Sequence, residues 1–144
     1  MKKIAIIGSS GSIGQQALEV VDELKNVEII ALTNNKNHEA LNKQIQKYKP
    51  KYFNINKKYL EQINHSSNVQ QLTNEEIAKL EEVDLLIVAS TGITGLMPTI
   101  TALEAGKKVA IANKESLVIG GPFIKKKLDE KKELGAQLIP IDSE

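Results

Sequence analysis

The chain has no cysteine and no tryptophan, and only two phenylalanines and three tyrosines among its 144 residues. Without cysteine there can be no disulfide and no thiolate metal site. So few aromatics leave no stacking platform for single-stranded nucleic acid. Formal net charge is +1, so nothing calls for a polyanionic partner or an acidic membrane surface. No apolar run approaches the length of a bilayer span. The first apolar run begins almost at once after Met1, which leaves no room for a signal or transit peptide and points to the cytoplasm. What remains is a chain with 41% hydrophobic and 26% charged residues, ordinary for one globular domain of this length.

The chemistry begins at the N-terminus. Ile4-Ala-Ile-Ile-Gly-Ser-Ser-Gly-Ser-Ile-Gly14 is a short apolar run that breaks into glycines and then into a helical pattern. A strand, a glycine turn and a helix N-terminus in that order form a cradle for the pyrophosphate of a dinucleotide. Gly8 would make the tight turn, Gly11 the close backbone approach to a ligand, and Gly14 the close helix–strand packing. The spacing is G-x-x-G-x-x-G, a variant of the nicotinamide fingerprint, and a glycine turn without a ligand is the alternative. Two competing reductase chemistries are absent. Semialdehyde and acyl-phosphate reductases need a cysteine nucleophile. The Tyr-x-x-x-Lys pair of short-chain dehydrogenases is missing, since Tyr48, Tyr52 and Tyr59 are followed four residues on by Tyr52, Asn56 and Ile63.

Strand and helix patterns alternate along the whole length, which predicts an α/β fold of the doubly wound, Rossmann-like kind. Its sheet is mainly parallel, with helices on both faces of a single domain spanning 1–144. Strands are expected at Lys2–Ile7, Val27–Leu32, Tyr52–Ile55, Leu85–Ala89, Lys108–Ile111 and Gln137–Ile141. The first helix is expected over Ile13–Leu24, burying Ile13, Ala17, Val20, Val21 and Leu24. A second runs His38–Tyr48 behind an Asn37 cap. Thr73 and Glu76 form a capping box for a short helix to Leu80. A further helix carries Leu96, Ile100 and Leu103 and ends at Gly106. The last is expected over Pro122–Leu134. The polar stretch 57–72 reads as a peripheral excursion with at most a short helix and a strand at Val69–Leu72.

Ligands of such sheets bind beyond the carboxyl ends of the strands. Five segments fall there: the glycine turn, Thr33–Asn37, Ser90–Thr94, Asn113–Ser116 and Asp142–Glu144. NAD enzymes place an acid near the end of the second strand to bind the ribose hydroxyls. None occurs here between Ile29 and His38, which favours NADP, and Lys36 is at hand for a 2′-phosphate, with a solvated loop lysine as the alternative. Asp142 and Glu144, two apart in an extended segment, can present two carboxylates to one side. They suit a Mg²⁺ or Mn²⁺ ion, with a plain acidic end as the alternative. Neither His38 nor His65 has a partner at metal-binding spacing.

Gly8-Ser-Ser-Gly-Ser-Ile-Gly14, Ala112-Asn-Lys-Glu-Ser116 and Pro140-Ile-Asp-Ser-Glu144 together make the chain resemble the N-terminal part of the 1-deoxy-D-xylulose 5-phosphate reductoisomerases. The resemblance implies that Ser10, Gly11, Ser12 and Ile13 bind NADPH and that Asn35, Lys36 and Asn37 take its 2′-phosphate. The family often has a glycine where this chain has Asn35. It further implies that Asn113 and Glu115 face the nicotinamide half, that Lys114, Ser143 and Glu144 touch substrate, and that Asp142 and Glu144 hold the divalent metal. The implied reaction rearranges and reduces 1-deoxy-D-xylulose 5-phosphate to 2-C-methyl-D-erythritol 4-phosphate in non-mevalonate isoprenoid biosynthesis. The family's further catalytic and helical domains, its lid and its third metal carboxylate lie beyond this sequence. The chain by itself is therefore expected to be inactive, and no catalytic residue is assigned within it. A homodimer is implied for the whole protein. Another NADP-dependent Rossmann reductase, or a non-catalytic redox-sensing nucleotide module, is the alternative.

Overall fold

Alternation of side chains along β1 (Lys2–Ile7) sends Ile4 and Ile6 to one face of a sheet and Ala5 and Ile7 to the other, and both faces are buried. A strand covered on both sides must be central and flanked by helices, and the rest of the chain supplies them. The computed structural model describes residues 1–64, 68–90, 92–112 and 114–141, except for the side chains of Lys114 and Ser116. After β1 come α1 (Ser12–Glu23), β2 (Val27–Thr33), α2 (His38–Tyr48), β3 (Tyr52–Asn54), a 3-10 turn (Lys57–Gln62) and β4 (Gln70–Gln71). Then follow α3 (Asn74–Ala78), β5 (Leu85–Val88), a 3-10 turn (Gly92–Gly95), α4 (Leu96–Glu104), β6 (Lys108–Ile111), α5 (Lys114–Lys131), a 3-10 turn (Lys132–Leu134) and β7 (Gln137–Pro140).

All strand pairs are parallel, in the order β4-β3-β2-β1-β5-β6-β7. The order reverses at β1/β5, so the carboxyl ends there open a crevice, where ligands of this fold class sit. Leu18, Val21, Leu41 and Ile45 from α1 and α2 cover one face, with Phe53. Ile77, Ile100, Leu103 and Ile124 from α3, α4 and α5 cover the other. A register shift at Ile4/Ala5 pairs them with Ile29 and Ala31, leaving Ile30 as the extra residue. This bulge turns the end of β2 so that Leu32 joins the α1/α2 side, and it re-aims the residues that follow.

The doubly wound parallel fold is as expected, and most strand bounds agree to within a residue. The capping box is present: Glu76 N donates to Thr73 Oγ1 at 3.1 Å and Thr73 N donates to Glu76 Oε1 at 2.9 Å. Asn37 caps α2 by accepting from Ala40 N at 3.0 Å. Two expectations are corrected. Val20 and Leu24 are 59% and 48% exposed, because α1 turns Gly14, Leu18 and Val21 to the sheet. The last helix begins at Lys114 and carries Pro122 in its interior. A methyl on Gly120 would stand 2.4 Å from Leu96 Cδ1, so close packing on α4 holds the helix through its glycine pair.

Candidate functional site

The turn between β1 and α1 is built by three glycines with three separate physical reasons. Gly8 has φ +85°, a left-handed conformation that side chains resist. At Gly14 a methyl would lie 2.3 Å from Gly8 O and 2.7 Å from Ser9 Cα, so bare backbone alone lets α1 sit against the turn. Gly11 differs. Its φ is −74°, and among the described residues a methyl there would meet only Gly8 O at 3.8 Å and Ala89 O at 3.9 Å. Nothing in the protein's own packing demands glycine at that position. Gly11 is exposed, is the N-cap of α1, and has no side chain to satisfy the helix's first N–H groups. That leaves them open to an anion.

The turn is tied to the exit of β2. Gly8 N donates to Thr33 O at 3.0 Å and Ser9 N to the same oxygen at 2.9 Å. Ser10 N donates to Asn34 Oδ1 at 3.0 Å. From α2, Gln44 accepts from Ser9 Oγ and donates to Ser9 O at 3.0 Å, while Gln15 Nε2 holds Ser10 O at 2.7 Å. Hydrogen bonds from β2, α1 and α2 thus tie the turn down.

Beside it opens a cavity of about 170 Å³ at the carboxyl ends of β1, β2, β3 and β5. Gly8 lines it from β1, Thr33, Asn34 and Asn35 from β2, Asn54 and Asn56 from β3, Asn74 from α3, and Ser90 and Thr94 from beyond β5. Among the described residues no acid lines it, and polar amides and hydroxyls dominate. Most of the asparagines are engaged with each other. Asn54 Nδ2 donates to Asn74 Oδ1 at 2.9 Å and its Oδ1 accepts from Gln71, while Asn56 Nδ2 reaches Asn35 Oδ1 at 3.3 Å. Asn34 stands apart. It is 7% exposed, and its Nδ2 is buried with no hydrogen-bond partner among the described residues.

The residues expected from the sequence divide into three groups. Ser10, Gly11, Ser12 and Ile13 lie together on the turn and the first residues of α1. Asn35, Lys36 and Asn37 follow β2 directly and are exposed; Asn35 lines the cavity, while Asn37 spends its oxygen on the α2 cap. Asn35 has no positive φ, so the backbone accepts a side chain where the family often carries glycine. Lys36 is in no ion pair among the described residues. Lys114 and Glu115 start α5, with Glu115 exposed in the first turn, where a carboxylate suits the helix dipole. Asn113, Asp142, Ser143 and Glu144 lie outside the described residues. Ile141, which precedes the acidic triplet, is still held by β6 through Ile141 N to Ile111 O at 2.8 Å.

Reading the sequence missed the exit of β3. Asn54 and Asn56 wall the cavity, and the signal available was two asparagines alternating with Ile55 at a strand end. Among the described residues no three His, Asp or Glu side chains gather as a metal group, and no helix is long and apolar enough to cross a membrane. A larger cavity, about 710 Å³, lies between α2 and the residues leading into β3 and β4, lined by Lys43, Lys49 and Lys51 among others. It is remote from the glycine turn and shares none of its residues.

Comparison with known proteins gives the same picture. The sequence pattern of the 1-deoxy-D-xylulose 5-phosphate reductoisomerase family matches residues 4–121. The reductoisomerase of Halothermothrix orenii is 41% identical over 152 aligned positions, covering 99% of this chain and 38% of its own length. The Zymomonas mobilis reductoisomerase, solved in complex with NADPH, superposes with a TM-score of 0.87 at 30% identity, covering 99% of this chain and 39% of that one. A reductoisomerase solved with NADPH, fosmidomycin and magnesium gives the same TM-score and identity over 99% of this chain and 37% of that one. The chain therefore spans about two fifths of the length of the relatives it matches, and by sequence and fold alike it belongs to the 1-deoxy-D-xylulose 5-phosphate reductoisomerase family.

Proposed function

We propose that this chain is the NADPH-binding domain, over residues 1–144, of a 1-deoxy-D-xylulose 5-phosphate reductoisomerase. Gly11 carries the proposal. Its missing side chain leaves space at the N-terminus of α1 that the described residues do not use, in a family whose relatives were solved with NADPH. Backbone N–H groups of Gly11, Ser12 and Ile13 hold the pyrophosphate there, and Ser10, whose own N–H is taken by Asn34 Oδ1, meets the cofactor through its hydroxyl. Asn35, Lys36 and Asn37 face the 2′-phosphate, with Lys36 as its cation. NADPH, when bound, supplies a hydride, and the pinned turn sets where the cofactor lies, because hydride transfer needs near-contact geometry. Asn113 and Glu115 are assigned to the nicotinamide half.

For the whole protein, the proposed activity is rearrangement and reduction of 1-deoxy-D-xylulose 5-phosphate to 2-C-methyl-D-erythritol 4-phosphate. Asp142 and Glu144 form a donor set of hard oxygens suited to Mg²⁺ or Mn²⁺, and Lys114, Ser143 and Glu144 would meet the phosphosugar. The whole protein is read as a cytoplasmic homodimer with no nucleic-acid or membrane partner. Calorimetric titration of the chain with NADPH and NADH tests the cofactor reading: NADPH binds more tightly. Equal affinity, or tighter NADH, contradicts it.

A further inference from the structure

Asn34 stands twenty residues after Gly14, immediately beyond the end of β2. In dinucleotide-binding folds this is where a carboxylate reads the ribose hydroxyls of NAD. Here the position carries an amide, and the amide's two ends are not equivalent. Its Oδ1 is committed to Ser10 N at 3.0 Å. The opposite orientation would set an N–H against an N–H, so this hydrogen bond fixes which end is which. Nδ2 is then a pure donor, buried, without a partner among the described residues, in a residue that lines the cavity beside the glycine turn. An unpaired buried donor is costly unless a ligand acceptor meets it. The cavity's other asparagines are engaged, since Asn54, Asn56 and Asn74 bond to one another or to Asn35 and Gln71.

Resting on the reading of this edge as an NADPH site, we infer that Asn34 is a residue that discriminates between the two dinucleotides, its Nδ2–H donating to an oxygen of the cofactor's 2′-phosphate. A phosphate monoester offers only acceptors at neutral pH, which matches a donor and repels a carboxylate. A ribose 2′-hydroxyl, by contrast, gains most from a carboxylate that accepts its proton. The bond from Ser10 gives the discrimination its precision, because the side chain that meets the 2′-phosphate also anchors the turn that meets the pyrophosphate. Asn34 thereby couples the two halves of the adenosine-diphosphate grip.

Asn34→Asp tests this with little change of shape, since a carboxylate still accepts from Ser10 N. Dissociation constants for NADPH and NADH are measured on the chain and on Asn34→Asp and Asn34→Ala, with thermal melting to confirm folding. The ratio of NADH to NADPH dissociation constants should fall about tenfold or more in Asn34→Asp and about threefold or more in Asn34→Ala. An unchanged ratio in a folded variant, or both cofactors weakened by one common factor, would mean that Asn34 only braces the turn, and would overturn the inference. If neither variant folds, the unaltered chain still decides. The side-chain NH₂ resonances of Asn34 should shift on saturation with 2′-AMP and not with 5′-AMP; no difference between the two overturns the assignment. Should the unaltered chain bind no dinucleotide, the NADPH reading falls and this inference with it. Binding with an unmoved ratio removes only the role of Asn34.

Discussion

Gly14 lies so close under the first turn that a Cβ on it would sit 2.3 Å from the carbonyl oxygen of Gly8. The Cβ position is fixed by the backbone and its partner is a backbone oxygen, so no side-chain rotation relieves the contact. Gly14→Ala should therefore destabilise the fold by about 3 kcal/mol or more, read as a lowered urea midpoint. A variant as stable as the parent would mean that α1 can shift on the sheet.

Gly11→Ala should behave in the opposite way. Its methyl has ordinary contacts only, at 3.8 and 3.9 Å, so stability should stay within about 1 kcal/mol of the parent. NADPH affinity should drop about tenfold, because the methyl occupies ligand space. Unaltered affinity in the folded variant would make the turn purely structural.

Lys36→Met should weaken NADPH about five- to tenfold and leave NADH unchanged. Raising the salt concentration should shrink the difference, since the contact is exposed. A lysine that is merely solvated would leave both affinities as they are, and calorimetry at two ionic strengths distinguishes the cases.

Between α1 and α2, Asp22 accepts from Lys47 Nζ at 2.9 Å and from Tyr48 Oη at 2.8 Å. The hydrogen bond from Lys47, then that from Tyr48, lowers the Asp22 pKa below its ordinary value. A depressed carboxylate pKa contributes stability that is present above the ordinary aspartate range and is lost as pH falls through the lowered value. NMR titration of the Asp22 carboxyl should show Lys47→Met returning it toward the ordinary range. No movement would mean that the pair is not formed in solution.

The chain spans under two fifths of the Halothermothrix orenii relative's length. Given 1-deoxy-D-xylulose 5-phosphate and Mn²⁺, it should consume NADPH only at background rate, because substrate-binding energy and water exclusion need more protein than one cofactor domain supplies. Sustained turnover by the purified 144-residue chain would contradict this.

Much of the fold was legible because a strand buried on both faces has to be written in consecutive apolar residues, as Ile4–Ile7 and Leu85–Val88 are. The start of α5 was not. Gly120, Gly121 and Pro122 argue locally for a break, and only the tertiary contact of Gly120 with Leu96 shows why the helix continues. Val20 and Leu24 misled in another way, since apolar residues at roughly helical spacing need not all lie on the buried stripe. In the site, the glycine turn announced itself by spacing. Asn34 did not, because an asparagine after a strand is common in loops. What sets it apart, one end bound to Ser10 and the other buried without a partner among the described residues, exists only once β1, β2 and β3 are side by side.

The most direct test is where NADPH lands on this chain. Backbone amide resonances followed through an NADPH titration should move at Gly8–Ile13, Asn34–Asn37 and Ser90, the turn, the exit of β2 and the end of β5 around the smaller cavity. Saturating shifts confined to Lys43, Lys49 and Lys51 around the larger cavity, or no saturable shifts at all, would contradict the placement of a dinucleotide at the carboxyl edge of β1 and β2.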